Sequence, residues 1–371
     1  MNRESLEKLF NYYTLKVAKG HRTITEYYLS VNEKCYELLS RDNDLSVLLN
    51  KEGSDELCES YPYKIAYPTH IKNYPSFVSS CKNNRLRNRF PVPVVFYKDK
   101  YVCRSSTIRN YLKDEEYEKD CKTLKSLSIS SIFNFMVEKN RDKEEYKATT
   151  ESVKKEHYPD LHQFLMPYPG VKFFIQYTRN NYKFDGLLYN FDHPRNEVQL
   201  TIPIDFENVK QYHVLPITEI TGLYLRTMLR VLANPLQNKH SSIVLHCLSG
   251  WDRTPMYITF LRASLWADGV AHQSLSTQEM LYLIVGYDYF LFHHQLKYRL
   301  QIEAELFRFT FNFLPKMIGK EFSIFSFEKD SKGPTKEQLK TRERKLLDLR
   351  EEFFKYYEKN KNLIEVISHN Y

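Results

Sequence analysis

Glycine is scarce in this chain, with ten residues in 371, while apolar residues make up 42% and charged residues 27%. That composition excludes a disordered or low-complexity chain and points to a folded one. Long apolar runs are missing too. No window approaches the roughly 20 apolar residues that a membrane span requires, so membrane contact is expected to be peripheral. The first ten residues, MNRESLEKLF, carry no apolar leader, which leads us to expect a cytoplasmic protein. The six cysteines, Cys35, Cys58, Cys81, Cys103, Cys121 and Cys247, lie far apart and form no CxxC pair. Free thiols in a reducing compartment are expected, and a structural zinc site would have to be assembled from distant residues. What the chain does have is aromatic residues, with 29 Tyr and 24 Phe, and a net charge of +8. Such a charge suits anionic partners, whether nucleic acid, phosphorylated substrates or an acidic membrane surface, and does not by itself choose among them. The length allows two modest domains, or one large domain with extensions.

Leu6, Leu9, Phe10, Tyr13 and Val17, then Tyr36, Leu38 and Leu39, recur at helical spacing, and helices are expected over residues 1 to about 50. Prolines at 62, 68 and 75 interrupt regular structure over Tyr61 to Pro75. The basic stretch Lys82, Arg85, Arg87 and Arg89 reads either as a solvated loop or as an anion-binding patch. Phe90 to Cys103 looks like a hairpin turning at Lys98 to Lys100. Short strands are expected within Leu161 to Phe174, at Gly186 to Phe191 and at Val198 to Ile202, the last running into Pro203-Ile204-Asp205-Phe206. Thr218 to Ala233 reads as a helix capped by Thr218, and Ser241 to His246 as a buried central strand. Strand, helix, strand implies an α/β sheet. Helices are expected at Thr254 to Ala267, Thr277 to Leu300 and Glu303 to Phe313. A charged helix over Thr335 to Asn360 shows heptad spacing at Leu339, Leu346, Leu349, Phe353, Tyr356 and Leu363. Arg342 and Asn360 occupy seam positions, which favours packing on the domain over a coiled coil.

The chemistry is concentrated where the expected central strand meets the next helix. Cys247 and Arg253 stand six apart, and the backbone N–H groups between them can curl round one anion at a helix N-terminus. That field lowers the thiol pKa and favours the nucleophilic thiolate. Arg253 offers a permanently charged planar fork for phosphoryl oxygens. Gly250 permits the backbone such a cradle needs, and Pro255 in the first helical turn loses no needed donor. A second copy of the spacing, Cys103 to Arg109, has no glycine and follows a lone hairpin. It reads as a structural cysteine followed by a serine N-cap.

The loop Cys247-Leu248-Ser249-Gly250-Trp251-Asp252-Arg253-Thr254 resembles the signature of the myotubularin phosphoinositide 3-phosphatases, Cys-Ser-Asp-Gly-Trp-Asp-Arg-Thr. Ser249 to Pro255 and Leu265-Trp266-Ala267-Asp268-Gly269 are similar to the divergent branch of that family known as Jumpy. Leu248 and Ser249 replace the usual Ser-Asp and remove a carboxylate that would face the inositol ring.

The resemblance implies a cysteine-based, protein tyrosine phosphatase-like α/β fold, with a central mixed sheet flanked by helices and with helical extensions at both ends. It divides the chain into 1–88, 89–330 and 331–371. The implied reaction removes the 3-phosphate of phosphatidylinositol 3-phosphate and of the 3,5-bisphosphate through a phosphocysteine on Cys247. Neither metal nor cofactor is called for, and the partners are head groups on endomembrane surfaces, not nucleic acid. The resemblance gives the proton-transfer role to Asp252, with Asp205 as a rival acid. It makes Leu248, Ser249, Gly250, Trp251 and Arg299 substrate contacts, and gives His246 and Thr254 supporting roles. Gln295 and Arg299 stand where relatives carry two arginines that grip further phosphates. A tyrosine or dual-specificity phosphatase and a non-hydrolysing phosphoinositide-binding protein remain as alternatives.

Overall fold

The computed structural model describes residues 3–15, 24–143, 146–202, 213–234, 236, 241–329 and 331–369. Its centre is a five-stranded mixed sheet of β1 (Val92–Tyr97), β2 (Lys100–Ser106), β3 (Ile129–Asn134), β4 (His162–Leu165) and β5 (Ser242–Cys247), in the order β1-β2-β5-β3-β4. The expected hairpin is β1 and β2, paired antiparallel; β5 lies parallel to both β2 and β3. All six residues of β5 are buried. This follows from Ile243, Val244 and Leu245 having no polar alternation, the pattern of a strand covered on both faces.

Helices flank this sheet. Leu6, Leu9, Phe10 and Tyr13 are buried on α1 (Arg3–Leu15), with α2 (Glu26–Ser40) beside it; Val17 lies outside the described residues. The helix that follows β5, α3 (Arg253–Ala267), is buried on nearly every side, as expected of an element with no polar face. The long terminal helix α4 (Lys336–His369) packs on α1 and α3. Its polar seam residue Arg342 is fully buried, donating to Asp268 Oδ1 at 2.7 Å and to the carbonyl of Met317. The charge at a heptad seam is thus used inside the domain. One apolar core runs from Leu6 to Tyr357, and among the described residues no helix is long and apolar enough to cross a membrane.

Several expected boundaries move. The segment 161–174 splits at Pro167 and Pro169 into β4 and a helix over Phe173–Arg179. Val198 to Ile202 forms only a bridge between Leu165 and Thr201, and its expected continuation through Asp205 lies outside the described residues. The helix before β5 starts at Ile217 behind Pro216, not at a Thr218 cap, because proline fixes φ and supplies the turn itself. The expected helix over Thr277–Leu300 breaks into Thr277–Leu283, a wide-turned Ile284–Phe290 and a separate Leu296–Gln301, with His293 at φ 60 between. The last helix of the domain begins at Leu306, after Glu303 at φ 56. The serines after Cys103 cap no helix, because β2 continues through Ser106.

Candidate active site

Cys247 ends β5 and Arg253 begins α3, so the loop between them joins a fully buried strand to the N-terminus of a nearly fully buried helix. Gly250 is required twice over. Its φ is +67, and a Cβ there would stand 2.6 Å from the carbonyl oxygen of Ser105, a distance at which backbone must move.

Neighbouring segments fix the loop's peptide planes. The N–H of Thr107 donates to the carbonyls of Cys247 and Leu248 at 3.2 and 3.3 Å. Arg89 donates to the carbonyl of Ser249, and Arg104 to that of Gly250 at 2.9 Å. In a trans peptide the carbonyl and the following N–H point opposite ways. Holding four successive carbonyls therefore turns the N–H groups of Leu248 to Trp251 toward the other side, where an anion can collect them. Arg89 and Arg104 are both buried. Burial pushes Arg89 down to about 10, which leaves it charged at neutral pH.

Burial alone would push the Cys247 thiol up, but Arg253 and the hydroxyl and N–H of Thr254 outweigh it and hold the thiol below its ordinary value. Arg253 is steadied by donating to the carbonyls of Phe135 and Tyr168 at 2.6 and 3.0 Å. Beneath the loop, His246 is fully buried, with Nε2 3.0 Å from Glu151 Oε2, an ion-pair contact without hydrogen-bond alignment. Glu151 in turn accepts from Arg85 at 2.7 Å, and Arg85 donates bidentately to Asp120. Burial opposes ionisation of Glu151, yet His246 and Arg85 hold its carboxyl well below the usual carboxylate range.

Asp252 accepts two bonds of 2.8 Å from Arg299, and His294 Nε2 lies 3.3 Å from its Oδ1. The other ring nitrogen of His294 meets the Tyr13 hydroxyl. Desolvation would raise the Asp252 carboxyl, but Arg299 and His294 hold it well below the usual range, so it rests ionised. The Arg299 fork, expected on a remote phosphate, is engaged by the loop's own carboxylate. Trp251 stacks under two guanidinium groups, those of Arg87 at 4.6 Å and Arg89 at 4.2 Å. Cation–π contacts of this kind fix the indole.

A cavity of about 670 Å³ opens beside the loop and meets it at Leu248, Ser249 and Trp251, with Gln295 and Arg299 also in its lining. Cys247, 2% exposed, is not among its walls.

The structure thus brings Cys247 to Thr254, His246 and Arg299 together; Asp205 lies outside the described residues. Cys103 sits mid-strand, fully buried, with burial alone raising its thiol, and has none of these surroundings. Sequence reasoning missed Thr107, Arg104, Glu151 and His294. Its only signal for Arg85 and Arg89 was the basic stretch, and both are buried rather than solvated.

No family model matches the chain. Two curated relatives do. The phosphatidylinositol-3,5-bisphosphate 3-phosphatase MTMR14 of Homo sapiens is 32% identical over 83% of this chain and 56% of its own length. The protein of the same name from Mus musculus is 33% identical over 79% of this chain and 54% of its own. The chain therefore spans a little more than half the length of the curated relatives it matches. Over the span they share, the chain is similar to these two phosphoinositide phosphatases.

Proposed function

We propose that this chain is a phosphoinositide 3-phosphatase on a protein tyrosine phosphatase-like fold, acting on phosphatidylinositol 3-phosphate and its 3,5-bisphosphate at endomembrane surfaces facing the cytoplasm. One observation carries the reading. Four loop carbonyls are tied back by Thr107, Arg89 and Arg104, beside a thiol held below its ordinary value. That arrangement suits a phosphoryl dianion in front of a thiolate.

In this reading the Cys247 thiolate attacks phosphorus and the bond from phosphorus to the inositol oxygen breaks. Arg253 and the loop N–H groups hold the equatorial oxygens throughout. Asp252 rests as a carboxylate, but a phosphate dianion arriving beside it raises its pKa, and the proton it then binds goes to the leaving oxygen. Water next attacks the phosphocysteine and gives its proton to Asp252. The sulfur–phosphorus bond breaks, phosphate leaves and the thiolate returns. Arg299 and His294 orient Asp252 for both transfers, so Arg299 acts through that carboxylate.

The test is phosphate release from short-chain phosphoinositides, phosphotyrosine peptides and a small aryl phosphate, beside Cys247→Ser. Release from 3-phosphoinositides at least tenfold faster than from the peptides, lost in the serine variant, is the expected result. Faster release from the peptides would make the chain a protein phosphatase. Tight lipid binding with no release would make it a binding protein.

A further inference from the structure

The cavity beside the loop also carries charge that the reaction at Cys247 does not use. Arg109 and Arg141 both pair in register with Ala148, one from Ile108–Arg109 and the other from Arg141–Lys143, in a small three-stranded sheet. Residues directly opposite in antiparallel pairs share a face. The two arginines therefore flank the small Ala148 side chain, roughly 10 Å apart at two strand spacings of about 4.8 Å. Both line the cavity.

Their charge is poorly neutralised. Arg109 donates to neutral acceptors only, the carbonyl of Arg85 at 3.3 Å, Asn88 Oδ1 at 3.0 Å and the Tyr111 hydroxyl. Among the described residues its guanidinium meets no carboxylate. The carboxylate facing Arg141 is Glu138 at 3.8 Å, with both side chains partly exposed, a geometry that contributes little. Arg87 and Asn88, also on the cavity lining, are consecutive non-glycine residues at φ 55 and 56, and Arg87 in that left-handed conformation is the kind of strain that gathers at ligand sites. The cavity lining also includes an uncharged Gln295 and an Arg299 already committed to Asp252.

Resting on the phosphatase reading, we propose that Arg109 and Arg141 form the subsite for a second phosphate monoester on the substrate's inositol ring. The loop takes the phosphate to be removed. The sheet wall takes the one that stays, and it selects bisphosphorylated over monophosphorylated head groups. Phosphate anions of a bilayer present the same chemistry, so the test separates the two sources.

Arg109→Gln/Arg141→Gln is compared with the unmodified chain on three monomeric substrates: short-chain phosphatidylinositol 3,5-bisphosphate, short-chain phosphatidylinositol 3-phosphate and a small aryl phosphate. Expected is a fall in kcat/KM on the bisphosphate about tenfold or more greater than on either of the others, since a charge-assisted contact works only where its phosphate is present. Arg109→Lys/Arg141→Lys recovers part of it. In the Cys247→Ser background, calorimetry with soluble inositol 1,3,5-trisphosphate shows the same loss in affinity when the arginines are replaced. Equal losses on all three substrates would overturn the proposal. So would a loss confined to vesicles containing phosphatidylserine, which assigns the wall to the bilayer. If the double variant does not fold, Arg141→Gln, partly exposed, carries the comparison under the same criteria. Failure of the underlying reading looks different: the unmodified chain then shows no preference for 3-phosphoinositides over the aryl phosphate.

Discussion

Replacing Arg299 by alanine separates a residue that grips substrate from one that governs Asp252. Arg299 meets Asp252 through two bonds of 2.8 Å, with the Asp252 side chain only 10% exposed. Two charge-assisted bonds at about 1.5–3 kcal/mol each bound the coupling at roughly 3–6 kcal/mol. His294 keeps part of the hold on Oδ1, so a loss of about 2–4 kcal/mol is expected, roughly 30- to 1,000-fold in kcat/KM. The loss falls alike on aryl phosphate and on lipid, because both use Asp252. The pH profile gives the second readout. Burial raises the Asp252 carboxyl and Arg299 is the largest influence lowering it. Without that cation the pKa rises, and the fraction ionised at mildly acidic pH falls. Where hydrolysis of the phosphocysteine limits kcat, ionised Asp252 is the reactive form, so the acid limb of the kcat profile moves to higher pH, and Arg299→Lys moves it less. Steady-state kinetics from pH 4 to 9 on both substrates measures this. A loss confined to the bisphosphate, with an unmoved pH profile, would refute the assignment and return Arg299 to the substrate.

Gly250→Ala should abolish turnover and lower Tm, because a Cβ at φ +67 costs about 1–2 kcal/mol before its 2.6 Å approach to Ser105 is relieved; near-normal turnover would mean that the loop is not pinned against Ser105. Cys103→Ser should retain turnover in the folded protein, since that thiol stands mid-strand with burial as the cause of its raised pKa; inactivity with intact folding would relocate the nucleophile. Glu151→Gln should destabilise by about 1.5–3 kcal/mol, the loss of a charge-assisted bond to Arg85, which keeps its bidentate pair with Asp120, as read by denaturant unfolding. Because the folded-state pKa of Glu151 is depressed, that difference is full above about pH 4.3, the unfolded value, and shrinks as pH falls toward the folded one. A difference that grows on acidification would contradict the ionised assignment.

The loop was legible because its parts are contiguous: a run of β-branched residues, a cysteine, one glycine, an arginine and a proline within about fifteen positions. What holds it was not, because Thr107, Arg104, Arg89 and Glu151 come from three separate segments that the parallel pairing of β5 with β2 and β3 brings together. Nothing local distinguishes Arg89, tied to a loop carbonyl, from a solvated arginine. The break between Leu283 and Leu296 was hidden for a different reason. That stretch is buried almost throughout, so its apolar pattern has no period to interrupt, and the turn at His293 that frees the helix of Arg299 leaves no compositional mark. Two boundaries that prolines set were not read from the sequence: Pro167 and Pro169 divide 161–174, and Pro216 precedes the helix that Thr218 was expected to cap.

The central claim is a covalent phosphocysteine on Cys247. Rapid acid quench of the chain during turnover of a 3-phosphoinositide, followed by peptide mass spectrometry, tests it directly. Phosphate is expected on the peptide containing Cys247 and none on that containing Cys103. Turnover with no phosphorylated cysteine at any quench time, or phosphate on Cys103, would contradict it.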